Sequence, residues 1–293
     1  MAAARFTRKE AGHMDLINKF AFYLGYPFVR YALVCASLIA LASAFLGVIL
    51  VLKRYSYIAN SLSNVAFASL SIATAIGFTQ KLVLALPMTI FFALILLQGN
   101  NSKKIISDAA IAMVSVSALA VGYLVMNVFR VGPNVSVDVC TTLFGSTSIL
   151  TLTKLDVITS VALSILVIIF FIYYYKEIYI TVFDEDLASA SGIKVERLNT
   201  VLSMVVAVVI TLAIRLVGSL LVAALIVFPA VSAMKVFHSF RKIALASAII
   251  SLISALGGAI FAILASTPVG STIVVMNLAI FIIMSIVGGV KRG

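Results

Sequence analysis

Asn60 and Asn64 stand four residues apart in an apolar run and therefore share one face of a helix, where two carboxamides can bond to a passing solute or to a neighbouring helix. They head the most polar of the apolar runs, with Ser61, Ser63, Ser69, Ser71 and Thr74 further along. Two readings fit this spacing. The amides line a polar path through a membrane, or they act as glue between helices while small residues such as Ala66, Ser69 and Ala73 permit close packing. A second stretch with chemical content is Phe183-Asp184-Glu185, leading through Leu187, Ala188, Ala190 and Ser191 to Gly192. Acidic residues at the front and glycine at the back predict a short surface helix. A solvated connection with no partner fits the same spacing.

Other reactive residue types are sparse. No Asp, Glu or Lys falls deep within an apolar run: Asp108 and Asp156 sit near run ends and Asp138 in a connection, which argues against a relay of charges across the membrane. His13 and His238 have no partner at ligand spacing, and Cys35 and Cys140 form neither a disulfide framework nor a metal motif. No phosphate-binding glycine loop is present and no catalytic residue is assigned. Arg215, between two strongly apolar runs, reads as an interfacial anchor whose head snorkels to water, and Pro229 predicts a kink in the run that contains it.

The elements that must position these residues follow from composition. The 293 residues are 63% hydrophobic and 11% charged, with a mean hydropathy of +1.22, which excludes an ordinary soluble domain. Apolar runs near 32–52, 58–77, 81–98, 107–129, 155–175, 198–214, 217–234, 243–265 and 271–290 each approach the ~20 residues a spanning helix needs. The expectation is an all-α polytopic membrane protein of eight or nine spans, because spans six and seven are parted only by Arg215 and its neighbours and can also be one broken helix or a hairpin. Residues 14–293 form one transmembrane domain; residues 1–13, with Gly12-His13-Met14 resembling a tag junction, read as a tail.

The net charge of +11 is confined to clusters at run ends, a topology signal rather than a nucleic-acid surface. Lys53-Arg54, Lys103-Lys104, Lys176 with Lys194 and Arg197, Lys235 with Arg241 and Lys242, and Lys291-Arg292 fall on one side, the expected cytoplasmic side. The N-terminus is then outside, the C-terminus inside, and the 176–197 segment cytoplasmic. The longest exterior segment, Arg130 to Lys154, has room for a short amphipathic helix or hairpin.

From about Tyr26 to the end, the chain resembles the ABC-3 permeases of ATP-binding-cassette importers for zinc, manganese and iron. The resemblance rests on the order and spacing of several short pieces: Val51-Leu-Lys-Arg-Tyr-Ser before a polar second span, Ser107-Asp108-Ala-Ala-Ile, Leu143-Phe144-Gly145-Ser, and Phe183-Asp184-Glu185 with Ala188 and Gly192. Val217-Gly218 with Leu220-Leu221 and Ala224-Leu225 up to Pro229, and Pro268 with Gly270, complete it. It implies a type II importer fold and a dimer of identical permease chains in the cell membrane. Two cytoplasmic ATPases would hydrolyse ATP, and an extracellular metal-binding lipoprotein would deliver Zn²⁺ or Mn²⁺ as cargo.

Under the same resemblance, Phe183, Asp184, Glu185, Ala188 and Gly192 form the coupling helix, and Asn60 and Asn64 occupy the metal positions. Here the chain departs from the family, which usually carries Asp-x-x-x-His at this place. Two neutral amides are weak ligands for a transition ion and add no negative charge. A different cargo, such as a metal chelate or a vitamin-like molecule, is therefore the alternative expectation, and a transport-silent membrane scaffold is a third.

Overall fold

The computed structural model describes residues 25–77, 81–98, 108–129, 154–265 and 267–290. Among the described residues every regular element is a helix: α1 (Pro27–Leu52), α2 (Ser56–Ala75), α3 (Lys81–Gln98), α4 (Asp108–Val128), α5 (Lys154–Tyr173), α6 (Tyr175–Phe183), α7 (Glu185–Ala190), α8 (Val195–Val217), α9 (Ser219–Val236), α10 (Phe240–Ala265) and α11 (Val269–Val290). Eight of these are long and apolar enough to cross a bilayer, and Lys81–Leu97 is a further, shorter apolar helix. That matches the expected eight or nine spans. The tail 1–13 and the segment from Arg130 to 153 that is expected outside, with Asp138, Cys140 and Leu143-Phe144-Gly145, lie outside the described residues.

Helices are required because hydrocarbon offers no partners to backbone N–H and C=O groups, so each segment must satisfy them internally. Within that rule, burial is set by place in the bundle rather than by hydropathy: α1, at the same mean hydropathy of 2.6 as α11, is 67% buried. α2 has a mean hydropathy of only 1.2 in its best window and is 67% buried there, whereas α11, at 2.6, is 17% buried. α2 packs against α3, α4, α8 and α9, while α1 packs against α5, α8, α9 and α10. The core is therefore α1, α2, α8 and α9, with α4 and α11 turning apolar side chains such as Met113, Val116, Ile282 and Ile286 outward. Such a face suits lipid tails, which are as apolar as the side chains.

Two glycines fix the interior. A Cβ at Gly122 of α4 would lie 2.8 Å from the Phe67 ring and 3.0 Å from the Ala68 Cα, so the closeness of α2 and α4 depends on its absence. Gly218 adopts φ 89°, ψ 154°, a conformation costly for any residue with a side chain, and this single residue separates α8 from α9. Spans six and seven are thus two helices broken at Gly218, with Arg215 in the last turn of the first. Pro229 sits within α9.

The 176–197 segment holds more structure than its polarity announces. Before the expected short helix comes α6, which buries Ile178 and Thr181 on one face. Tyr175 and Tyr179, one turn apart, set their rings 5.5 and 5.6 Å from that of Phe240 at the start of α10. Aromatic contacts of this kind hold α6 onto the bundle end.

Candidate functional site

The polar residues of α2 separate into three groups by where their hydrogen bonds go. Ser69, Ser71 and Thr74 donate to the carbonyls of Val65, Phe67 and Leu70, four residues back on the same helix, at 2.8, 2.8 and 2.7 Å. Their hydroxyls are satisfied locally and carry no further chemistry. Ser61 donates to the Ile111 carbonyl on α4 at 3.3 Å, and Ser63 to the Ser219 carbonyl at the start of α9 at 2.7 Å. These two are interhelical glue, and the second fastens the break at Gly218.

Asn60 and Asn64 form the third group. Both turn their Nδ2 groups to one hydroxyl, Ser115 Oγ on α4, at 3.4 and 2.8 Å. The bond from Asn64 is well formed; the one from Asn60 is long and weak. Ser115 is buried, Asn64 half-buried and Asn60 exposed, so the pair climbs from the packed interior to an open surface of this chain. One amide is thus tied into the packing between α2 and α4, and the other faces out from this chain. Ser115 escaped the sequence reading because a serine in an apolar run does not reveal which helix it will meet.

Chemically the cluster offers amide and hydroxyl oxygens and nothing ionisable. Among the described residues no group of three or more His, Cys, Asp or Glu side chains is placed to hold a metal ion. Neutral oxygens suit a solute that keeps its own shell of water or ligand; stripping a transition dication calls for anionic or imidazole donors.

The second site is charged. Asp184 is extended (φ −154°, ψ 107°) and its carboxylate accepts the Leu187 N–H at 2.9 Å, which makes it the N-cap of α7. Glu185 and Asp186 follow in the first turn, against the positive end of the helix. At the far end Gly192 has φ 83°; its N–H reaches the Ser189 carbonyl at 3.0 Å and the Ile193 N–H reaches that of Ala188 at 3.0 Å. This double closure is the Schellman arrangement, which glycine makes accessible. Ala188 is fully buried beneath the helix, whereas Phe183 and Leu187 are 60% and 57% exposed. Two large apolar side chains flanked by acids project from a rigidly capped turn.

Lys53 anchors this helix. Its ammonium lies 2.8 Å from Glu185 Oε1 and donates to Asn199 Oδ1 of α8 at 2.7 Å, with its side chain only 5% exposed and that of Glu185 37% exposed. Lys53 is also the C-cap of α1, next to Arg54, whose φ of 63° turns the chain into α2. One cation therefore joins α7, the start of α8 and the turn that leads to Asn60 and Asn64. The sequence reading counted Lys53 only as a topology marker, since its partners lie more than a hundred residues away.

The fold and these two sites define the class: a multi-pass helical membrane protein with a polar interior helix and a charged, capped helix at one end. The chain belongs to the ABC 3 transport family, whose model matches residues 25–288. This bears out the motif resemblance. It is similar to the high-affinity zinc uptake system membrane protein ZnuB of Haemophilus influenzae, 24% identical over 253 residues that cover 86% of this chain and 94% of that protein. It is also similar to the manganese import system permease protein ScaB of Streptococcus gordonii, 26% identical over 270 residues, 91% of this chain and 94% of that one. Among solved structures, PsaBC from Streptococcus pneumoniae in complex with Fab matches with a TM-score of 0.79 at 24% identity, covering 92% of this chain and 95% of that chain.

Proposed function

We propose that this chain is the membrane permease of an ATP-driven importer for a divalent transition metal ion, Zn²⁺ or Mn²⁺, working as a dimer of identical chains. A separate ATPase grips α7 on the cytoplasmic side, and an extracellular metal-binding lipoprotein delivers the cargo. The likeness to zinc and manganese uptake proteins over most of the chain supports the cargo class. The observation that carries the coupling role is Lys53: a stroke applied to Phe183, Asp184, Glu185, Ala188 and Gly192 passes through one buried ammonium to α8 and to the α1–α2 turn. Asn60 and Asn64 are the polar step of the pathway. No catalytic role falls to this chain.

The neutral donor set of Asn60, Asn64 and Ser115 favours a second reading, import of a metal still held in a chelate or of another small polar solute. Proteoliposomes containing the permease, its ATPase and its binding protein decide between them. ATP-dependent accumulation of free Zn²⁺ or Mn²⁺ supports the first reading. Accumulation of chelated metal alone supports the second, and no accumulation of any solute discards both. For the orientation, with N-terminus outside and C-terminus inside, Ser189→Cys in a Cys140→Ser background should resist a membrane-impermeant thiol reagent added to intact cells. Labelling from outside would overturn the topology.

A further inference from the structure

α5 and α10 both pack on α1 but not extensively on each other, and the space between them is a cavity of about 780 Å³. Phe45 of α1 forms its floor, Ile168, Phe171 and Ile172 of α5 one wall, and Ala244 with Leu245 of α10 the other. One end is closed by aromatic rings: Phe171 stacks on Phe240 at 5.9 Å and stands 6.0 Å from Tyr175. At that same end Lys176, Glu177 and Arg241 line the rim.

The rim is built as well as charged. Arg241 lies over the Tyr175 ring at 5.5 Å and gives its Nε–H to the Tyr175 hydroxyl at 3.3 Å, which leaves its terminal guanidinium donors without a partner in this contact. Among the described residues neither Lys176 nor Arg241 has a carboxylate within ion-pair distance. The rim thus sets two cations against the single carboxylate Glu177. Ile172 and Leu245, 69% and 62% exposed, show that the groove opens sideways on the outer surface of this chain.

We propose that this groove binds one anionic phospholipid, with its phosphate held between Arg241 and Lys176 and an acyl chain laid over Phe45 between Ile172 and Leu245. A guanidinium presents paired donors to phosphate, and an ammonium adds a point charge. Basic pockets between membrane helices are a recognised setting for such headgroups. A soluble anion would leave the apolar floor bare, and a second protein chain would have to supply a further acid to balance the positive charge that Glu177 leaves over.

Titration of the purified protein in neutral detergent with phosphatidylglycerol or phosphatidylcholine, read by native mass spectrometry, tests the site. At about 1 kcal/mol per cation, Lys176→Gln with Arg241→Gln should weaken phosphatidylglycerol binding about thirtyfold and abolish its preference over phosphatidylcholine. Leu245→Trp, which fills the groove and keeps both cations, should weaken binding of both lipids. Equal affinity for the two lipids in the unmodified protein, or an unchanged preference in the double variant, would overturn the proposal. So would a photocrosslinker at Ile172 that traps a second copy of the chain instead of lipid, or glycerol phosphate competing as well as the intact phospholipid.

Discussion

The intramembrane cluster and the capped end differ in the currency of their polarity. Around Asn60, Asn64 and Ser115 every group is neutral, and the hydrogen bonds run between side chains on two helices. Around α7 the groups are ionised, and a nearly buried ammonium is held by a carboxylate that still reaches water. Amides and hydroxyls can enter a low-dielectric interior for the cost of satisfying their hydrogen bonds, whereas a charge must bring a counter-charge or stay near solvent. Among the described residues the contrast sets the Lys53–Glu185 pair at the end where a partner would push, while the Asn60, Asn64 and Ser115 cluster carries no anion of its own.

Making the interior charged is the largest way to break that contrast. Asn60→Asp with Asn64→His introduces a carboxylate and an imidazole one turn apart, and should raise Zn²⁺ or Mn²⁺ affinity beyond the 10–100-fold that outer-shell partners alone supply. Equilibrium metal binding to the purified protein measures this, and an unchanged affinity would remove Asn60 and Asn64 from any metal pathway.

The converse change, removing charge from the end, comes next. Glu185→Ala leaves the Lys53 ammonium with Asn199 as its polar partner. Because Glu185 is partly solvated, the loss should be about 1–2 kcal/mol rather than the 3–5 of a fully buried pair, seen as a lower melting temperature. Lys53→Met with Glu185→Leu removes both charges but strands the buried Asn199 carboxamide, so it should recover only part of that stability while leaving transport uncoupled from ATP hydrolysis. Recovered transport in the double variant would show that the ion pair is structural only.

Smaller effects sharpen the comparison. Ser115→Ala removes the shared acceptor of both amides and should cost about 1 kcal/mol in thermal stability. Gly192→Ala forces a side chain into a positive-φ position with open space around it, so the cost is conformational alone, about 0.5–1 kcal/mol. Amide exchange should quicken across residues 185–193 and stay unchanged in α2. Faster exchange in α2 as well would mean that the two regions are one cooperative unit.

Local features were legible before any coordinates. The acids at the front of α7 and the glycine behind it are a helix start and stop written within nine residues, Asp184 to Gly192, and the structure has both caps. The spacing of Asn60 and Asn64 placed them on one face, and one hydroxyl does receive both. What escaped was non-local. Ser115 lies 51 positions beyond Asn64 and Glu185 132 beyond Lys53, and no periodicity within either segment specifies such a meeting. α6 was overlooked for a related reason: its residues look like a solvated connection until Phe240 supplies a surface for Tyr175 and Tyr179.

The sequence by itself determined that the chain is helical and membrane-borne, where its spans fall, how α7 begins and ends, and that the spans carry almost no charge. Those properties depend on backbone hydrogen bonds within a segment and on transfer of each segment into hydrocarbon, both settled by residues close together in the chain. Only the tertiary structure decided that α2 lies at the centre and α11 at the rim, that Lys53 ties three segments into one strut, and that α5 and α10 stand apart over Phe45. Helices in lipid associate by packing and by hydrogen bonds between distant side chains, so the choice among similar apolar faces is made only when all of them compete for the same neighbours.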